Sequence, residues 1–133
     1  MLARRLAQHQ LKLLPMAADG NCQFNAMACF FQNREFSPHE IRRRVVHYIW
    51  ANRERFKYDI EAEYGKSPQE YCSTMLRDAV WGDGITLQAF GLLFNVNLWL
   101  FTAEGCSNLH EIPERPNVAL VRSGAHYDAA VPL

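Results

Sequence analysis

A thiol, an imidazole and two carboxylates stand in this chain where they could act together. Cys22 lies in "AADGNCQFNAMACFF" (Ala17 to Phe31), where a turn signal, Asp19-Gly20-Asn21, gives way to apolar residues at helical spacing. In such a turn Asp and Asn are expected to hydrogen-bond locally and Gly to supply a positive φ. A helix N-terminus carries about half a positive charge and unpaired N–H groups, so a cysteine there has its thiolate favoured and its pKa lowered. The same N–H groups can converge on a developing oxyanion, and Gly20 has no side chain to block a substrate's approach. This local design suits nucleophilic attack on a carbonyl. Position alone also admits a plainer role, that of a small residue fitting a tight turn.

A thiolate nucleophile needs a base, usually histidine. Of the five histidines, His39 and His47 fall on one predicted helix, and His9 and His110 sit in polar surroundings without a nearby acid. These four read as surface or packing residues. His126 differs, because "GAHYDAAV" enters a predicted strand and the two-residue period puts Asp128 on the same face. An acid so placed can orient the ring, fix its tautomer and stabilise the imidazolium. An exposed His–Asp pair on a sheet edge would look the same. Asp19 is the second acid, able to cap its turn, hold His126 or shape the oxyanion site.

The elements that must position these groups are legible as a series. "MLARRLAQHQLKLL" has the arginines and the lack of acids of a transit peptide. Its apolar part is too short for a secretory signal, so it reads as a short helix leading into a strand, with Pro15 favouring an edge or a strand end. A helix is predicted from about Cys22 to Gln32. "SPHE" at Ser37 and "SPQE" at Ser67 each combine an N-cap serine, proline at the first helical position and glutamate at the third. The first opens "EIRRRVVHYIWANRERF", with Ile41, Val45, Tyr48 and Ile49 inward and Arg42, Arg43 and Arg44 reaching solvent. The second opens "EYCSTMLRDAV", with Tyr71, Met75 and Leu76 inward and Cys72 beside them. "WGDG" breaks the chain before the helix "ITLQAFGLLF". Then "VNLWLF", "PNVALVR" and "HYDAAVPL" read as strands. Helices segregated from strands imply an α+β fold, a small mixed sheet flanked by helices.

The 133 residues suffice for a single domain, 1–133, and 49% hydrophobic content can fill its core. Fourteen basic and fourteen acidic residues give no net charge, which argues against a nucleic-acid footprint. The longest apolar stretches fall short of a membrane span. Four scattered cysteines, without a C-x-x-C pair, suit a reducing compartment such as the cytoplasm and give no metal-ligand spacing.

"DGNCQFNA", "WGDGITLQA" and "HYDAA", in that order, resemble the ovarian-tumour-type (OTU) cysteine proteases, a deubiquitinase family. The resemblance runs from about Leu13 to Val131. It implies the OTU fold, with Cys22 as nucleophile, His126 as general base, and Asp128 and Asp19 as supporting acids, either of which can be the dominant one. It also implies a structural block at "WGDG", with Trp81 either a packing anchor or a surface near the leaving-group side. Many members carry Leu and Arg where this chain has Gln23 and Asn25.

The implied substrate is ubiquitin, polyubiquitin or a ubiquitin-like modifier, cleaved at the isopeptide bond of its terminal glycine. No cofactor or metal is implied, nor a nucleic acid or membrane partner, and the state expected is monomeric. The setting is the cytoplasm of the producing cell, or of a host if the domain is delivered. Glu61 and Glu63 can face the basic tail of ubiquitin or be ordinary solvated charges. Two other readings share these residues: a ubiquitin-binding module of the same fold with little or no turnover, and a thiol amidase for small substrates.

Overall fold

The computed structural model describes residues 2–31, 35–109 and 114–133. Among them lie helices α1 (Leu2–Gln8), α2 (Cys22–Ala28), α3 (Pro38–Ala51), α4 (Arg53–Tyr64), α5 (Pro68–Met75) and α6 (Gly84–Phe94). The strands are β1 (Leu11–Leu14), β2 (Asn97–Phe101), β3 (Cys106–Asn108), β4 (Asn117–Ser123) and β5 (His126–Pro132). They form one mixed sheet in the order β1-β5-β4-β2-β3, in which β2 and β4 run parallel and every other pair antiparallel.

Strand alternation divides the apolar residues between two faces. Leu98, Val118, Leu120, Tyr127 and Ala129 look toward the helices and join the main core with Phe24, Met27, Ile49, Phe56 and Phe90. Phe101, Val121 and Ala130 look the other way and are covered by Leu6 of α1. The chain's first helix is thus one layer, the sheet a second, and the remaining helices a third.

The helix starts follow their caps. Ser67 accepts from Glu70 N–H while the Glu70 carboxylate accepts from Ser67 N–H, a complete capping box. At Ser37 only the forward half forms, because Glu40 turns to Arg43 and Arg44 instead. The run after Ser37 does not continue as one helix: Asn52 breaks it, and α4 begins at Arg53, burying Phe56 and Ile60 one turn apart. α2 ends at Ala28, short of the expected Gln32, which itself lies outside the described residues. Leu76, expected inward, is the C-cap of α5 and is 38% exposed, so the buried residues of that helix are Tyr71, Cys72 and Met75.

"WGDG" serves α6 through its aspartate. Asp83 is the N-cap, accepting from Thr86 N–H at 2.9 Å and from the hydroxyls of Tyr64 at 2.6 Å and Tyr71 at 3.0 Å. One carboxylate therefore ties α4, α5 and α6 together. Burial and the neighbouring Asp83 both push the Tyr64 and Tyr71 hydroxyls up, and burial pushes Tyr127, Cys29, Cys72 and Cys106 up.

Leu98, fully buried in β2, is expected to cost about 2–5 kcal/mol on replacement by Ala. Ser67→Ala should cost only about 1 kcal/mol, through loss of the cap; urea denaturation curves measure both. The raised thiols and phenols set a pH dependence by linkage. The unfolded chain releases these protons at ordinary values while the folded chain retains them, so the stability they contribute is intact below about pH 8.5. It is then lost as pH rises through the Cys and Tyr range. The urea midpoint should fall between about pH 8.5 and 10.5, and Tyr71→Phe should flatten that fall.

Candidate active site

The N-terminus of α2 abuts β5, and this contact joins the two ends of the chain. Cys22 is 1% exposed, and its Sγ accepts a hydrogen bond from the backbone N–H of Tyr127 at 3.3 Å. On the same strand His126 Nε2 lies 2.8 Å from Asp128 Oδ1. Oδ1 also accepts from the N–H of Met16, just past β1, at 2.7 Å. An ionised carboxylate only accepts, so the ring proton belongs on Nε2 and Nδ1 is the basic nitrogen. Nδ1 is buried and makes no hydrogen bond to any described residue, the sulfur included. Strand β5 thus carries a ring whose tautomer is fixed at one nitrogen and whose other nitrogen is unspent, next to the residue that touches the thiol.

Sequence position led to the expectation of a lowered Cys22 pKa, and the structure corrects it. Burial pushes the thiol up, and this outweighs the N–H groups of Tyr127, Gln23 and Cys22 itself, which favour the thiolate. Asp19 adds a smaller push in the same direction as burial. The helix start thus contributes N–H groups to the sulfur, but in a site dry enough to keep an isolated thiol protonated.

The turn before the cysteine also differs from expectation. Cys22 N–H donates to Asp19 O at 3.2 Å and Asn21 has φ −102° and ψ 4°, a type I arrangement with Gly20 and Asn21 at its centre. Gly20 has no positive φ, unlike Gly65 and Gly124. It must be glycine because a Cβ there would overlap the carbonyl of Ala79. Its bare Cα receives the protein's own backbone rather than a substrate. Asp19 is exposed and closes the turn locally, its Oδ1 accepting from Asn21 N–H at 2.9 Å. Asn21 does not bond locally. Its Oδ1 faces inward, accepting from Arg42 Nη2 at 2.8 Å and from Ala79 N–H at 3.1 Å.

Arg42, expected in solvent, is 1% exposed, whereas Arg43 and Arg44 are exposed. Its guanidinium lies 4.2 Å from the centroid of the Phe24 ring and donates to Met75 O, Val80 O, Gly20 O and Asn21 Oδ1. Burial lowers its pKa and Asp78 partly restores it. A signal for this residue was present: Arg42 stands one helical turn before Val46 and two before Ile49, on the buried stripe.

Gln23, next to the cysteine, is likewise buried. Its Nε2 donates to Asp83 O at 3.0 Å and its Oε1 accepts from Thr86 Oγ1 at 2.6 Å, tethering α2 to the start of α6. A Cβ on Gly82 would strike this side chain. Trp81, expected as an anchor, is 43% exposed, so Gln23 and Asp83 do the joining at "WGDG".

His39 and His47 are exposed, His9 packs edge-on against Phe101, and His110 lies outside the described residues. Glu61 and Glu63 are exposed on α4. No three His, Cys, Asp or Glu side chains cluster as a metal would require, among the described residues. An apolar cleft of about 480 Å³, lined by His9, Cys29, Phe30, Trp99 and Pro132 among others, is separate from Cys22, His126 and Asp128.

With this geometry in place, comparison with known proteins is informative. A family model described as OTU-like cysteine protease matches residues 17–119, which include Cys22 and "WGDG" and stop before His126. The OVARIAN TUMOR DOMAIN-containing deubiquitinating enzyme 11 of Arabidopsis thaliana is 34% identical over 104 residues, 77% of this chain and 40% of the relative. Enzyme 7 of the same series and organism is 36% identical over 88 residues, 66% of this chain and 23% of the relative. The chain spans less than half the length of these curated relatives. Among solved structures, the OTU domain of OTUD1 superposes with a TM-score of 0.83 at 26% identity, covering 97% of this chain and 91% of that one. An OTU domain solved in complex with ubiquitin gives 0.76 at 21% identity, over 91% of this chain and 69% of that one. Strand order, helix layer and thiol-bearing turn together have a family: the chain belongs to the OTU-like cysteine proteases.

Proposed function

We propose that the protein is a thiol isopeptidase that hydrolyses the bond at the C-terminal glycine of ubiquitin or a ubiquitin-like modifier, with Cys22 as nucleophile and His126 as general base. The observation that carries this reading is the unspent His126 Nδ1, buried on the strand whose next N–H holds the Cys22 sulfur. Relatives named as deubiquitinating enzymes and an OTU domain solved with ubiquitin support the choice of substrate.

In this mechanism Nδ1 takes the thiol proton as the sulfur attacks the glycine carbonyl, so charge appears as a thiolate–imidazolium pair rather than a lone buried anion. Asp128 steadies the imidazolium through Nε2 and is itself fixed by Met16 N–H. The oxyanion forms near the start of α2. There Gly20 N–H donates to no described residue, and Cys22 N–H holds Asp19 O only by a long 3.2 Å bond. Each well-placed donor is worth about 3–4 kcal/mol. His126 then protonates the leaving lysine amine, and water activated by the same ring releases the modifier from the thioester. Asp19 acts by shaping the turn, and Asp128 is the acid that orients the base.

A panel of differently linked diubiquitins, together with ubiquitin bearing a C-terminal electrophile, tests the reading. Wild type should cleave at least one linkage and become covalently labelled. Cys22→Ala should do neither, His126→Ala should lose about 10²–10⁴-fold in kcat, and Asp128→Ala should lose less than His126→Ala. Reversible ubiquitin binding without labelling would leave the binding module standing. Turnover of small amides with indifference to ubiquitin would leave the amidase.

A further inference from the structure

We infer that Arg42 is a positioning residue for the nucleophile turn, holding the Gly20–Asn21 peptide in the one orientation that keeps carbonyl oxygen away from the oxyanion site. The inference rests on the reading of Cys22 as nucleophile.

The central peptide of a type I turn is its weak point. Rotating it by about half a turn gives type II, which demands φ > 0 at the third residue, and asparagine tolerates that. The third residue here is Asn21, and glycine at the second offers little resistance. The turn's sequence is therefore compatible with both states. Flipping would carry the Gly20 oxygen from the interior to the exposed side that Asp19 occupies beside Cys22. A partial negative charge would then face the place where the substrate oxyanion develops.

Arg42 opposes the flip in two ways. Its Nη2 holds the Gly20 oxygen inward at 3.3 Å and the Asn21 carboxamide at 2.8 Å. Through Val80 O at 2.8 Å and Met75 O at 2.8 Å it also fixes the segment after α5. Ala79 of that segment sits in the left-handed region at φ 65°, which disfavours a residue with a side chain. Its carbonyl presses on the Cα of Gly20, and its N–H takes the second lone pair of Asn21 Oδ1. The fork of the guanidinium is what lets one cation serve acceptors on the turn and on the opposing segment; an ammonium on a lysine stem has neither the reach nor the planar geometry.

Arg42→Lys is the test, read against wild type and Cys22→Ala with ubiquitin carrying a fluorogenic C-terminal amide. In folded Arg42→Lys, kcat should fall about 100-fold with KM within about threefold of wild type, the pattern of an interaction felt only in the transition state. Amide exchange followed by NMR should show Asn21 N–H losing protection at least tenfold while Leu98 N–H in the sheet is unchanged. A kcat within threefold, or an unchanged Asn21 exchange rate, overturns the inference. If Arg42→Lys fails to fold, Asn21→Ala removes one oxygen acceptor and leaves the cation three. It should lose about tenfold in kcat at constant KM, and a kcat within threefold of wild type overturns the inference equally. If wild type itself turns over no ubiquitin amide, the proposed function fails, and the exchange measurement still decides whether Arg42 holds the turn.

Discussion

The hydrogen bond from Tyr127 N–H to the Cys22 sulfur closes a loop of 105 residues, and the rest of the molecule can be understood as what makes that closure hold. One such bond contributes only about 1 kcal/mol. It cannot by itself bring the first fifth of a chain against the last. The partners on each side do so. β5 lies between β1 and β4, fixed by a ladder on either edge, so its register cannot slip without exchanging its two faces. α2 is held at its start by Gln23 to the α6 cap and, through the preceding turn, by Arg42 to the segment after α5. A seven-residue helix has little stability of its own, so these tethers and the burial of Phe24 and Met27 determine where its N-terminus points.

The electrostatics of the thiol follow from the same closure. Packing the sulfur under Tyr127 removes water, which disfavours the thiolate, and supplies N–H groups, which favour it. Burial wins for the thiol considered alone. In the proposed mechanism the base changes the comparison, because moving a proton from sulfur to imidazole creates two opposite charges at once, and their attraction is strongest where water is excluded. The carboxylate of Asp128, held by Met16 N–H, adds to the stabilisation of the imidazolium side. On the proposed reading of Cys22 and His126, the reaction therefore runs through proton transfer within a pair and needs no freestanding thiolate.

Much of this was legible in the sequence, for reasons that differ from residue to residue. The two serine–proline caps, the alternation that pairs His126 with Asp128, and the thiol at a helix start are local patterns with a local cause. α4 escaped because its charges continue the pattern of α3, and the break at Asn52 has no proline or glycine to mark it. β3 escaped because it is three polar residues at a sheet edge, with no apolar face to alternate. The inward turn of Asn21 depends on Arg42 and Ala79, 21 and 58 residues away, and the collision that requires glycine at position 20 depends on the same Ala79. No window on the sequence contains both partners. Arg42 is the intermediate case: its place on the apolar stripe was visible, while the carbonyls it serves were not.

A buried guanidinium usually finds a carboxylate, and the choice of carbonyl and amide oxygens here has an electrostatic consequence. Removing a cation from water costs several kcal/mol unless its donors are satisfied, and Arg42 satisfies them with Met75, Val80, Gly20 and Asn21 oxygens and the face of Phe24. A carboxylate in that shell would have satisfied the donors equally well. It would also have set a full negative charge behind the turn that carries Cys22, adding to the upward push that Asp19 already exerts on the thiol. Neutral acceptors satisfy the donors without placing a full negative charge against the turn. Asp78 partly offsets the cost of burying Arg42, without an ion pair to it among the described residues. The same side chain that fixes the geometry of the turn thus does so without bringing a second carboxylate toward the thiol.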